Sequence, residues 1–172
     1  SSAAILGMTD APRASGFISR GGAWVVAQAI LMTTVIVLGV IFHGDWTRLP
    51  VIVAGAGLLV TGGYFGIAGV VVLGRNCTPY PQPREESELV QHGVYAQARH
   101  PLYTSVMLAS LGWSLIWQSW PALIVALALI PFFHAKARRE ERWLRERFPG
   151  YADYQRRVPR FIPRLLRHPN PV

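Results

Sequence analysis

The chain reads as an all-α integral membrane protein with about four transmembrane helices, the last two forming a hairpin. Three observations carry that reading. Of 172 residues, 51% are hydrophobic and 15% charged, where soluble domains carry roughly 25% charged residues. The apolar residues lie in long uninterrupted runs rather than at helical or strand periodicity. The basic residues are unevenly spread: 11 of the 17 lie from Lys136 onward, within a formal net charge of +8. A basic segment beside membrane spans meets anionic headgroups more often than nucleic acid, so no nucleic-acid partner is expected. The single cysteine, Cys77, excludes an internal disulfide, and no zinc-protease, dinucleotide or P-loop motif is present.

Taken in order, residues 1–20 form an N-terminal segment. Residues 1–7 precede Met8 and read as a cloning remnant. Trp24–Phe42 is uncharged over about 19 residues, enough to cross a bilayer core of roughly 30 Å. A cleavable signal peptide competes, but the run is long for one and no small-residue cleavage pattern follows. A polar turn, His43–Arg48, carries the interfacial Trp46. Leu49–Leu73 is the second span. At about 100° per residue, its Gly55, Gly62, Gly66 and Gly69 share one face, which favours close approach of another helix over a ligand loop. Residues 21–74 thus hold the first two spans.

Residues 75–172 form a second region. Gly74–Arg99 is polar and dense in proline, which blocks regular structure. Leu89 and Val90 near its end suit either a ligand or the membrane helices. Pro101 then opens the third span, Leu102–Trp117; proline suits a first helical turn because its missing N–H has no partner there anyway. Gln118-Ser119 turns the chain into the fourth span, Trp120–Phe133, with a kink expected at Pro131. Trp113, Trp117 and Trp120 mark an interface. His134–Phe148 reads as this helix leaving the membrane, stopped by Pro149-Gly150. Beyond it, Tyr151, Tyr154, Val158, Phe161 and Ile162 alternate with Arg156, Arg157, Arg160 and Arg164, the pattern of a basic segment lying on the membrane surface. The turns at Asp45–Arg48 and Gln118 carry almost no positive charge, and the rest of the chain carries nearly all of it, so both termini and the polar mouth are expected in the cytoplasm.

A hairpin of the last two spans brings two polar clusters to one membrane face: Arg99, His100 and Tyr103 from the first arm, and Lys136, Arg139, Glu140 and Glu141 from the second. Interfacial anchors and snorkelling side chains explain part of this. The adjacent acids point about 100° apart on a helix, so at least one is expected to face protein or ligand. Polar groups at a membrane mouth are commonly functional. His100 is the only imidazole in the central motif, so no metal site is expected.

The order Gly93-Val94-Tyr95, Arg99-His100-Pro101-x-Tyr103, an apolar hairpin, Glu140-Glu141, then Tyr151-x-x-Tyr154-x-x-x-Val158-Pro159 and Ile162-Pro163 resembles the isoprenylcysteine carboxyl methyltransferase and phospholipid methyltransferase superfamily. The likeness covers roughly residues 75–164, about half the chain. It implies an integral membrane methyltransferase using S-adenosyl-L-methionine and releasing S-adenosyl-L-homocysteine. It assigns the cofactor to Leu89, Val90, Tyr95, His100, Pro101, Leu102, Tyr103 and Glu140, with Glu141 as a second acid. Catalytic and acceptor roles fall to Lys136, Arg139, Glu140 and Arg99. The chain departs from the pattern at Lys136, where carboxyl methyltransferases carry Arg, and at Thr104-Ser105, where Gly is common. The acceptor implied is an amphiphile, the carboxylate of a prenylated cysteine or a similar small lipophilic substrate ahead of phosphatidylethanolamine. A sterol-reductase-like NADPH enzyme and a non-catalytic scaffold binding membrane lipids are the competing classes.

Overall fold

In the computed structural model, residues 21–44, 48–74 and 88–161 are described. The expectations for residues 1–20, Trp46, the proline-rich stretch 75–87 with Cys77, and Ile162 onward, Arg164 included, lie outside the described residues. The rest is helical: α1 (Gly22–Ile41), α2 (Leu49–Leu73), a 3-10 turn (Gly93–Ala96), α3 (Pro101–Ile116), α4 (Trp120–Arg147) and α5 (Tyr151–Arg157). Three of these, α1, α2 and α4, are long and apolar enough to cross a membrane, and α3 is a shorter apolar helix of 16 residues.

Each boundary has a local cause. Pro50, Pro101 and Pro121 sit in the first turns of α2, α3 and α4, where a missing N–H leaves nothing unpaired. The Ser119 hydroxyl caps α4 by accepting from the Ala122 N–H at 3.4 Å and donates to the Leu38 carbonyl at 3.0 Å. Gln118, at φ 54°, supplies the left-handed residue that reverses the chain between α3 and α4. Pro131 is accommodated inside α4, which runs on unbroken to Arg147. The expected fourth span and the helix emerging from it are therefore one continuous helix.

The glycine face of α2 packs on α3. A Cβ on Gly62 would lie 2.9 Å from the Ala109 N and the Ser105 carbonyl, and one on Gly55 would lie 2.9 Å from the Gly112 carbonyl. Backbones this close gain dispersion that larger residues forbid. Gly69 meets Leu102 and Gly66 meets Ser105, so all four glycines predicted to share a face meet the same partner. The α1 helix runs antiparallel to α4: Leu38 meets Ser119 at one end, and Trp24 packs against Phe132 toward the other, with ring centroids 5.4 Å apart. Val35, Met107, Leu129 and Phe133 form the core between α1, α3 and α4. Outward positions on α1 and α2, such as Ile30, Val53, Val60 and Val71, are apolar and exposed, as a lipid-facing surface requires.

The segment after α4 corrects the sequence expectation. Tyr151, Tyr154, Val158 and Phe161 are buried and do not lie along a membrane surface. The first three pack with Leu89, Leu144 and Phe148. The Arg99 N–H donates to the Pro159 carbonyl at 2.9 Å, and the His100 N–H donates to that of Arg160 at 3.0 Å. The Thr104 hydroxyl donates to the Phe161 carbonyl at 3.0 Å. The chain thus returns as a strap across the start of α3. Two of the arginines read as membrane-facing, Arg156 and Arg157, are exposed, while Arg160 turns inward.

Candidate functional site

The two polar clusters meet at one end of the helices. Pro101 starts α3 immediately after Arg99 and His100, which fixes their direction. On α4, Lys136 and Glu140 are four residues apart on one face, and Glu141 points about 100° away. This offset divides the acids into two environments.

Glu141 is fully buried, with 0% of its side chain exposed. Its Oε1 accepts from Arg99 Nε at 3.1 Å and Nη2 at 2.8 Å, and from Arg160 Nε at 3.0 Å. Its Oε2 accepts from Arg160 Nη2 at 2.5 Å and Gln155 Nε2 at 3.2 Å. His100 Nε2 lies 3.2 Å from Oε1. Arg99 also donates through Nη1 to the Gln155 carbonyl at 2.9 Å and to that of Val158. A carboxylate offers about four lone-pair directions, and these contacts fill them. Glu141 and Arg99, both read as site residues, thus tie α3, α4 and the strap together.

Glu140 keeps 24% of its side chain exposed. Its Oε2 accepts the Tyr103 hydroxyl at 2.7 Å and lies 3.6 Å from His100 Nδ1. The His100 and Tyr103 rings stack at 5.2 Å, 3° from parallel, and Tyr103 stacks on Phe133 at 4.8 Å. Lys136, only 1% exposed, places Nζ 5.1 Å from the centre of the Tyr103 ring and donates to Gln28 Oε1 at 2.6 Å. Arg139 packs its guanidinium on Trp143 at 5.2 Å; its buried Nε has no hydrogen-bond partner among the described residues. Aromatic faces, a part-exposed carboxylate and a held ammonium thus share one mouth.

The remaining predicted residues surround it. Tyr95 is buried with Phe65 and Val94, and Val90 packs against that cluster; the Tyr95 carbonyl accepts the Tyr154 hydroxyl at 2.6 Å. Leu89 packs with Tyr151 and Tyr154, and Leu102 packs against Gly69 on α2. Burial pushes the Tyr151 and Tyr154 phenols well above their ordinary value, so both are neutral. The Tyr151 hydroxyl is buried without a hydrogen-bond partner among the described residues. Sequence reasoning missed Gln28, Gln155 and the inward turn of Arg160. Gln28 had a signal: it is the lone amide in the run from Trp24 to Phe42. Among the described residues no group of three or more metal-ligating side chains occurs.

Helices long enough to cross a membrane, carrying this aromatic, acidic and basic cluster at one end, define a polytopic membrane protein with a polar cluster at one end of its helices. The chain belongs to the phospholipid methyltransferase family, a family of membrane methyltransferases whose model matches residues 50–151. It is 32% identical over 147 residues to the cobalt-zinc-cadmium resistance protein CzcN of Cupriavidus metallidurans, covering 85% of this chain and 64% of that one. It is 33% identical over the same length to the nickel-cobalt-cadmium resistance protein NccN of Alcaligenes xylosoxydans xylosoxydans, covering 85% and 65%. It is also 29% identical over 111 residues to the protein-S-isoprenylcysteine O-methyltransferase of Schizosaccharomyces pombe, covering 62% of this chain and 47% of that one. The chain therefore spans just under two thirds of the two resistance proteins.

Proposed function

We propose that this chain is an S-adenosyl-L-methionine-dependent methyltransferase acting at the cytoplasmic membrane face on an amphiphilic acceptor, the carboxylate of a prenylated cysteine or a similar small lipophilic acid. One observation carries the reading: the Tyr103 hydroxyl and the Glu140 carboxylate, 2.7 Å apart, sit beside stacked rings and a buried ammonium at the mouth of a membrane helix pair. The excess of basic residues at this end of the helices supports the cytoplasmic side.

The residues fit the cofactor. It carries a sulfonium, an ammonium and an adenine. The part-exposed Glu140 suits its cationic groups or ribose hydroxyls, and the His100 and Tyr103 rings suit its base. When bound, it supplies an activated methyl group. The protein's contribution is position and dryness. Tyr103, held by Glu140 and stacked on Phe133, sets one wall of the pocket. Lys136 orients an anionic acceptor toward that wall. The strap of Pro159–Phe161 screens this end of α3 from water, which strengthens each of these interactions. An ionised carboxylate needs no base. Glu141 and Arg99 act through position, because their hydrogen-bonding capacity is taken up by the strap.

A second reading, N-methylation of phosphatidylethanolamine, is favoured by His100, whose Nδ1 faces Glu140 at 3.6 Å; an amine acceptor must first lose a proton. Calorimetric titration of detergent-purified protein with S-adenosyl-L-homocysteine, with NADPH as control, tests the class. Saturable binding of the former, lost in Glu140→Gln, is the expected result. Binding of NADPH alone would establish a reductase, and binding of neither by folded protein would establish a scaffold.

A further inference from the structure

The outward side of α4 changes chemistry once along its length. Leu129, Phe133 and Ala137 turn to the core and are fully buried. On the opposite side Ile124 and Leu127 are 66% and 50% exposed, and Pro131 and Ala135 are exposed as well. At about 100° per residue, Arg138 and Arg142 continue that same side, and both are exposed. Because α4 is continuous, the stripe keeps its direction. Arg138 stands about 27 Å along the axis from Trp120, and Arg142 about 33 Å, against a hydrocarbon core of roughly 30 Å. A helix crossing with Trp120 at one boundary brings both guanidiniums to the phosphate level of the other leaflet.

The arginines around this pair are engaged. Arg99 and Arg160 hold Glu141, Arg139 packs on Trp143, and Arg145 donates back to the Glu141 carbonyl at 3.3 Å. On α5, Arg156 pairs with Asp153 and Arg157 donates to Gln91 at 3.1 Å. Arg138 and Arg142 have no hydrogen-bond, ion-pair or ring partner among the described residues. Of the nearby acids, Glu140 accepts from Tyr103, Glu141 is taken up by the strap, and Glu146 makes no ion pair among the described residues. Side chains four apart on a helix start about 5–6 Å from one another. One phosphate can therefore accept from both forks, whose geometry matches its oxygens.

We propose that Arg138 and Arg142 form a headgroup site for an anionic phospholipid, with an acyl chain lying along Pro131 and Leu127 beneath them. An apolar stripe running straight into paired cations complements an amphiphile with an anionic head. An acidic soluble protein would match the cations and leave the stripe uncovered. The site lies on the side of α4 opposite Lys136 and Glu140. It is thus separate from the mouth described above, and it stands whether or not the methyltransferase reading holds.

The test purifies the full chain in neutral detergent micelles doped with equal amounts of phosphatidylglycerol and phosphatidylcholine, and counts the retained lipids by mass spectrometry. Wild type is expected to retain phosphatidylglycerol about fivefold over phosphatidylcholine, the scale of one basic residue at an anionic surface. The paired substitution Arg138→Gln and Arg142→Gln should bring that ratio to about one. Both residues are exposed, so the melting temperature should hold. Should the pair fail to fold, Arg142→Gln alone carries the test, and its ratio should fall by at least about half. Arg156→Gln with Arg157→Gln removes the same charge from α5 and should leave the wild-type ratio in place. Equal retention of the two lipids by wild type overturns the proposal. So does an undiminished ratio in the α4 variant, or an equal fall in the α5 variant, which would mark a general basic attraction. Glycerol 3-phosphate in millimolar excess is expected to leave the lipid bound. Displacement by it would overturn the lipid as occupant and assign the pair to a soluble phosphate.

Discussion

Arg99 Nη2 lies 2.8 Å from Glu141 Oε1, across 42 residues of sequence and two helices. The pair is buried, and Arg160 completes it from the strap. Removing one partner of a buried ion pair leaves the other uncompensated and costs about 3–5 kcal/mol. Glu141→Gln should therefore lower the melting temperature of detergent-purified protein sharply and loosen residues 159–161. Proteolytic cleavage near Phe161 at the wild-type rate would contradict this.

Glu140 should behave in the opposite way. It is part-exposed and outside the Arg99–Arg160 cluster, so Glu140→Gln should change stability by less than about 1 kcal/mol. S-adenosyl-L-homocysteine affinity should nonetheless fall at least about tenfold, from loss of a charge-assisted contact. Tyr103→Phe should weaken binding by a smaller factor, since it frees the carboxylate without removing it. Parallel melting curves and titrations separate the two acids, and equal destabilisation by both variants would refute the division.

The hydroxyls of α5 predict an alkaline limit. Burial raises both phenols above the ordinary tyrosine value of about 10, so the folded state keeps protons that the unfolded state releases. Their stabilisation is complete below about pH 10 and is lost as pH rises toward their folded values. The slope is about 1.4 kcal/mol per pH unit for each phenol. Tyr154→Phe should lose about 1 kcal/mol at neutral pH, because it breaks the bond to the Tyr95 carbonyl. Tyr151→Phe removes an unpartnered oxygen and should be neutral or stabilising there. Both should flatten the alkaline fall, read as melting temperature against pH.

The α2–α3 seam should tolerate no side chain. A Cβ on Gly112 would stand 2.5 Å from the Gly55 carbonyl, a backbone atom with no rotamer to move. Gly112→Val should destabilise by about 1–3 kcal/mol or more. Gly57, whose added Cβ meets nothing within 4 Å, should accept Ala with no loss. Comparable folded yields from both variants would refute the close approach.

The helices were legible because a bilayer imposes a simple rule: uncharged runs of sufficient length span it. The glycine face was legible because α2 is one uninterrupted helix, so spacing gave direction. The pairing of His100–Tyr103 with Lys136–Glu141 followed from the short turn at Gln118-Ser119. The strap was not legible. Aromatic residues alternating with arginine suit a membrane surface as well as a buried turn, and only the distant Glu141 decides between them. The unequal environments of Glu140 and Glu141 were hidden for the same reason, since adjacent acids differ only by what their neighbours supply. Gln28 carried a signal, but its partner lies 108 residues away.

The strap also sets an order of assembly. Glu141 follows Arg99 by 42 residues, and Arg160 arrives 19 residues later still. During synthesis all four apolar helices are made before the segment that closes their polar end. A chain halted between Arg147 and Val158 would be threaded into the bilayer with Glu141 half-compensated and His100 uncovered. The polar end of the helices is therefore completed only by residues that follow the last apolar helix in the chain.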